Sequence, residues 1–119
     1  ANSNELRQVI MNLLNNAGDA MPEGGTITIR SENIKADGRT FVRIVVKDTG
    51  QGIENEKLQK VFEPFFTTKK EGKGVGLGLS TSFTIIENHG GNISAKSTLG
   101  KGTEFIIDLP VRLHKIEEI

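Results

Sequence analysis

The chain has 119 residues, 35% of them hydrophobic, with 15 Lys and Arg against 15 Asp and Glu. That is one domain, large enough to bury a core unaided, and its zero net charge argues against a general nucleic-acid binder. No cysteine is present, which excludes a disulfide framework and a thiolate metal site, and no apolar run approaches the ~20 residues of a membrane span. The chain shows no signal peptide. The expected location is the cytoplasm, without membrane contact by this domain, whether or not the parent protein is membrane-anchored. A helical pattern begins almost at Asn4, so both ends look trimmed. The expectation is a domain, residues 1–119, cut from a longer protein.

Leu6, Val9, Ile10, Leu13, Leu14, Ala17, Ala20 and Met21 recur at helical spacing, predicting an amphipathic helix over about 4–21. Pro22 and Gly24-Gly25 end it. Thr26 to Arg30 alternates polar and apolar residues, as a half-buried strand does. Asp37-Gly38 marks a hairpin turn, and the β-branched Phe41 to Lys47 is a strand. Residues 49–78 hold no long periodic segment beyond a short helix over Glu54 to Phe62. Loops of such length are usually functional. Leu79, Phe83 and Ile86 belong to a second long helix, capped by Asn88-His89-Gly90-Gly91. Asn92 to Thr98 and Thr103 to Leu109 are strands joined through Leu99-Gly100-Lys101-Gly102. The order α, β, β, loop, α, β, β predicts a two-layer α/β sandwich. Its sheet is mixed or mostly antiparallel, covered on one face by about three helices.

Three polar clusters carry the chemistry. On the first helix, 100° steps from Asn12 put Asn16 at about 40° and Asp19 at about 340°, so the three share one stripe. The bland alternative is a solvated face. Against it, Asn12, Asn15, Asn16, Gly18 and Asp19 are poor helix formers, together costing roughly 3 kcal/mol relative to Ala. Amide oxygens suit Mg²⁺ that keeps several waters and also binds phosphates. The second cluster is Asp48-Thr49-Gly50-Gln51-Gly52-Ile53. A strand-end carboxylate on a glycine-freed turn can accept a hydrogen bond from an exocyclic amine such as that of adenine. An Asx turn is the alternative. In the third, Gly72, Gly74, Gly76 and Gly78 alternate before a helix, offering bare N–H groups to an anion. Lys69, Lys70 and Lys73 bring positive charge near it. The spacing fits neither a Walker loop nor a Rossmann fingerprint.

Together these residues resemble the ATP-binding catalytic domain of sensor histidine kinases, in the GHKL superfamily of Bergerat-fold ATPases. Gln8 to Ala17 is similar to the N box, Asp48 to Ile53 to the G1 box, and Phe62-Glu63-Pro64-Phe65-Phe66 to the F box. Gly74 to Leu79 is similar to the G2 box, and Gly102-Thr103-Glu104-Phe105 with Leu109-Pro110 to the closing hairpin. The resemblance covers essentially the whole chain. It implies ATP and Mg²⁺ as cofactors, with Asn16 as the metal ligand and Asn12 as a supporting contact. It implies that Asp48 meets the adenine amino group, with Gly50, Gly52 and Ile53 beside the base and Thr103 helping to fix that side of the pocket. Residues from about Phe65 to Gly74, including Thr68 and the three lysines, would form a mobile lid. Phe62, Phe65 and Phe66 would anchor it. Gly74, Val75, Gly76, Leu77, Gly78 and Leu79 would line the phosphates. One departure is Asp19, where many members carry Lys or Arg. It either supports the adenosine side or is structural.

Hydrolases of the superfamily carry a Glu one helical turn before the metal Asn. Asn12 stands there in this chain, and an amide cannot take a proton at neutral pH. The sequence therefore points to phosphoryl transfer by positioning and electrostatics, with slow hydrolysis. The implied partners are ATP or ADP, the dimerisation and phosphoacceptor histidine domain of the same parent protein, and a response-regulator receiver domain. The only histidines are His89, in the helix cap, and His114, in the tail. Neither sits in an acceptor motif, so autophosphorylation by this chain alone is not expected. The alternatives are a serine or anti-sigma-type kinase of the same superfamily, and a non-catalytic nucleotide-sensing interaction module.

Overall fold

Two periodicities, 3.6 for helices and 2 for strands, decide which side chains of this chain are buried. The computed structural model describes residues 3–62 and 78–110. In chain order the elements are α1 (Ser3–Asp19), β1 (Ile27–Ala36), β2 (Arg39–Asp48), α2 (Asn55–Leu58), α3 (Gly78–Asn88), β3 (Asn92–Thr98) and β4 (Gly102–Pro110). The strands form one sheet in the order β1-β2-β4-β3, and all three pairings are antiparallel. Among the described residues the sheet is wholly antiparallel, in keeping with the expected mostly antiparallel sheet.

The core lies between α1, α3 and one face of the sheet. Val9 and Leu13 of α1 meet Ile85 and Ile86 of α3, over Val46, Ile93, Phe105 and Ile107 of the sheet. On β4 the inward positions are Thr103, Phe105, Ile107 and Leu109. The register sets them level with Val46, Ile44 and Val42 of β2 and with Ser97, Ala95 and Ile93 of β3. Phe62, expected to anchor a lid, stacks within 5.7 Å of Phe83 and 6.1 Å of Phe105. Phe65 and Phe66 lie outside the described residues. The other sheet face is charged, with Arg43 Nε and Nη2 gripping Asp108 at 2.8 and 3.0 Å and Arg30 3.7 Å from Glu104. Asp108 beside it raises the pKa of the Arg43 guanidinium.

The turn signals act as the sequence predicts. Asp37 and Gly38 take φ of 51° and 77°, as a two-residue hairpin with the strand twist requires. At the end of α3, Gly91 N–H donates to Ile86 O at 2.9 Å and Gly90 N–H to Glu87 O at 3.0 Å. These two bonds are the Schellman cap. His89 joins it, with Nδ1 2.7 Å from Ile85 O and Nε2 3.9 Å from Glu5, so its place is structural.

Three boundaries differ from expectation. Helix α1 stops at Asp19 because Met21 N–H turns back to Gly18 O ahead of Pro22. Strand β1 runs on to Ala36 rather than ending at Arg30, because Ser31 to Ala36 stays paired with β2 up to the turn. Helix α2 is only four residues long, followed by turns. Strand β1 is an edge, and its Ile27 and Ile29 are 37% and 51% exposed. Among the described residues no helix is long and apolar enough to cross a membrane.

Leu13 is fully buried at the centre of the α1 stripe. Leu13→Ala should cost about 2–5 kcal/mol, read as a lower urea midpoint with an unchanged slope.

Candidate functional site

The two asparagines are set by the apolar stripe beside them. Val9, Leu13 and Ala17 are buried, so Asn12 and Asn16, one turn apart, sit half-buried at the margin of that stripe. Asp19 is exposed. Asn12 Nδ2 donates to Ser82 Oγ at 3.2 Å, and Ser82 is completely buried. Ser82 lies on α3 just beyond its first turn, so this bond holds the N-terminal part of α3 beside the asparagines. Gly78 begins α3, and the N-terminus of a helix favours an anion. Leu79 turns its side chain against the core.

Asp48 closes β2 with only 2% of its surface exposed. Its Oδ1 accepts Gly50 N–H at 2.8 Å and Thr103 N–H at 3.3 Å. The first bond is the Asx turn that the sequence allows. It does not exhaust the carboxylate, because among the described residues Oδ2 takes no hydrogen bond. No fully buried side-chain oxygen or nitrogen among them lacks a partner, so Oδ2 faces an opening.

The turn after Asp48 is held on two sides. Gln51 N–H donates to Ala20 O, beyond the end of α1, at 3.3 Å, and Gly100 N–H of the β3–β4 hairpin donates to Gln51 O at 2.7 Å. A Cβ on Gly50 would stand 2.6 Å from Ala20 O. On Gly52 it would run into Thr98 O and stand 2.9 Å from Leu99 Cα, at a φ of 78°. Glycine is thus required for close approach of backbone to backbone, and at Gly52 also for φ. Ile53 N–H donates to Ser97 Oγ at 2.8 Å. Ser97 Oγ also donates to Gly102 O at 2.9 Å and lies 2.9 Å from Thr103 Oγ1.

Asp48, Gly50, Ile53 and Thr103 are thereby tied together around the end of β2, directly or through Ser97, with the turn that holds Gly50 and Gly52 joined to the residue after α1. Asn12, one turn before Asn16, is tied to α3, which Gly78 opens. Phe65, Thr68, Lys69, Lys70, Lys73, Gly74, Val75, Gly76 and Leu77 lie outside the described residues. Ser82 and Ser97 escape a sequence reading. The only signal for Ser97 is its inward place in the β3 alternation, and Ser82 has none beyond a polar residue at a core position.

The whole of residues 1–113 matches the family described as histidine kinase-, DNA gyrase B- and HSP90-like ATPases. The chain belongs to this family. It is 49% identical over 121 residues to sensor kinase CckA of Brucella abortus, covering 92% of this chain and 13% of that protein. The fold superposes on the mycobacterial sensor histidine kinase MprB with a TM-score of 0.83, at 30% identity, covering 94% of this chain and 76% of that one. The catalytic domain of histidine kinase ThkA, in a nucleotide-free form, gives 0.78 at 40% identity, covering 92% of this chain and 68% of that one. The chain is a histidine-kinase-type catalytic domain, and its fold is the expected α/β sandwich.

Gly52→Ala should destabilise the domain by about 1–3 kcal/mol, since both φ and the Thr98 carbonyl oppose a side chain. Thermal melting checks this, with Gly38→Asn as the control whose turn tolerates a residue at positive φ.

Proposed function

We propose that this domain binds Mg²⁺-ATP and donates the γ-phosphoryl group to a histidine on the dimerisation domain of its parent protein. That phosphohistidine then supplies a response-regulator receiver domain. The observation that carries the reading is Asp48, buried, with Oδ1 locked by two N–H groups and Oδ2 left to a ligand. An oriented acceptor in a dry site selects a donor, here the amino group of adenine, because a 6-oxo purine would set oxygen against oxygen. The similarity to proteins named as sensor kinases supports the kinase half of the reading.

The donor set fits magnesium. The amide oxygens of Asn16 and Asn12 are hard and neutral, and suit an ion that keeps water and phosphate ligands. When bound, the ion would neutralise charge on the phosphates. Asn16 would hold it, with Asn12 fixed beside it through Ser82. The N–H groups that open α3 would receive phosphate oxygens. Thr103 and Ile53 would bound the base. Lys69, Lys70 and Lys73 remain candidates for phosphate charge, and Asp19, exposed at the end of α1, for the ribose side.

The same geometry disfavours hydrolysis. The residue one turn before Asn16 is an amide whose nitrogen donates to Ser82, so it cannot take a proton from water. Acceptor activation would come from the acceptor domain itself.

Calorimetry of ATP and ADP with and without Mg²⁺ tests the site. Asp48→Asn should weaken binding at least tenfold, about 1.4 kcal/mol, and Asn16→Ala should remove the Mg²⁺-dependent part. Labelled ATP should mark the histidine of an added dimerisation domain and leave the isolated chain unmarked. A folded chain that binds no adenine nucleotide would sink the reading.

A further inference from the structure

The helix-facing layer of the sheet is apolar along most of its length and turns polar at one end. There Asp48, Thr103 and Ser97 stand in a row across β2, β4 and β3. Ser97 and Thr103 are direct cross-strand partners, and Thr103 N–H reaches Asp48 Oδ1. Ser97 is the member of the row farthest from Asp48, and the two are not hydrogen-bonded to each other.

A serine hydroxyl has one proton and two lone pairs. At Ser97 all three are assigned. One lone pair accepts Ile53 N–H at 2.8 Å. The proton goes to Gly102 O at 2.9 Å. The remaining contact, to Thr103 Oγ1 at 2.9 Å, can then only be one in which Thr103 donates. Thr103 spends its single proton on Ser97, away from Asp48, and keeps only acceptor capacity on the other side. Asp48, whose Oδ1 already accepts Thr103 N–H, has only a further acceptor in Oδ2. The row presents acceptors and no donor.

We propose that Ser97 is a specificity-determining positioning residue of the nucleotide site. Its hydroxyl draws the Thr103 proton away from the base and pins Ile53, so the pocket favours a 6-amino over a 6-oxo purine. The inference rests on the adenine-nucleotide reading above. Without Ser97, Thr103 is free to turn its proton toward the base and meet the carbonyl of guanine.

The test is displacement of a fluorescent ADP analogue by ADP and by GDP, on the unmodified chain, Ser97→Ala and Ser97→Thr, with melting curves for each. Ser97→Ala should lower the preference for ADP over GDP about tenfold, the scale of one directed hydrogen bond plus a lost repulsion. Ser97→Thr keeps the hydroxyl and should restore the preference. Ser97→Cys keeps the size while losing most of the hydrogen bonding, and is read by the same criterion should the alanine chain fail to fold. A hydroxyl that served stability alone would weaken both nucleotides equally, and an unchanged ADP-to-GDP ratio overturns the proposal. An unmodified chain that binds neither nucleotide overturns the adenine reading along with it. An adenine preference that survives loss of the hydroxyl overturns only the role of Ser97.

Discussion

The peptide of Gln51 joins the two halves of the site. Its N–H reaches the carbonyl beyond the end of α1, and its C=O receives the tip of the β3–β4 hairpin. Helix α1 carries the asparagines, and the hairpin carries Ser97 and leads into Thr103. Neither contact survives unless Gly50 and Gly52 lie flat against their neighbours. The two glycines are therefore needed before any ligand is considered, because they let three segments far apart in sequence share one backbone junction.

From that junction the chemistry sorts itself by element. Rigid helices and strands hold the groups that need fixed direction, the two amides and the carboxylate. Ser82 restrains Asn12 from α3, and the Asx turn restrains Asp48 from its own strand. Asp48 thus spends Oδ1 on the protein, while its Oδ2 takes no hydrogen bond among the described residues. Such division keeps a buried polar group satisfied while leaving it reactive.

Much of this was legible in the sequence, and for identifiable reasons. Helix α1, strand β2, the Asp37-Gly38 turn and the glycine cap after His89 are specified by local spacing and local backbone preference. The glycine requirement at the Asp48 turn was legible as a pattern, though the Ala20 and Thr98 carbonyls that demand it were not. The second half of β1 was missed because Ser31, Glu32 and Asn33 are poor strand formers, kept in place by pairing with β2. Ser82 and Ser97 were missed because their partners lie 70 and 44 residues away. Serine is common enough that only the sheet register reveals which ones face inward.

Strand β1 brings a different consequence. Among the described residues it is the edge of the sheet, with no strand on its outer side, and it carries two exposed isoleucines. Such an edge is a template for a second chain. Arg30, Glu32 and Lys35 are exposed charges spread along it. Charges on an edge strand disfavour such pairing in general, so neutral residues at these positions would make this edge a better template for another chain.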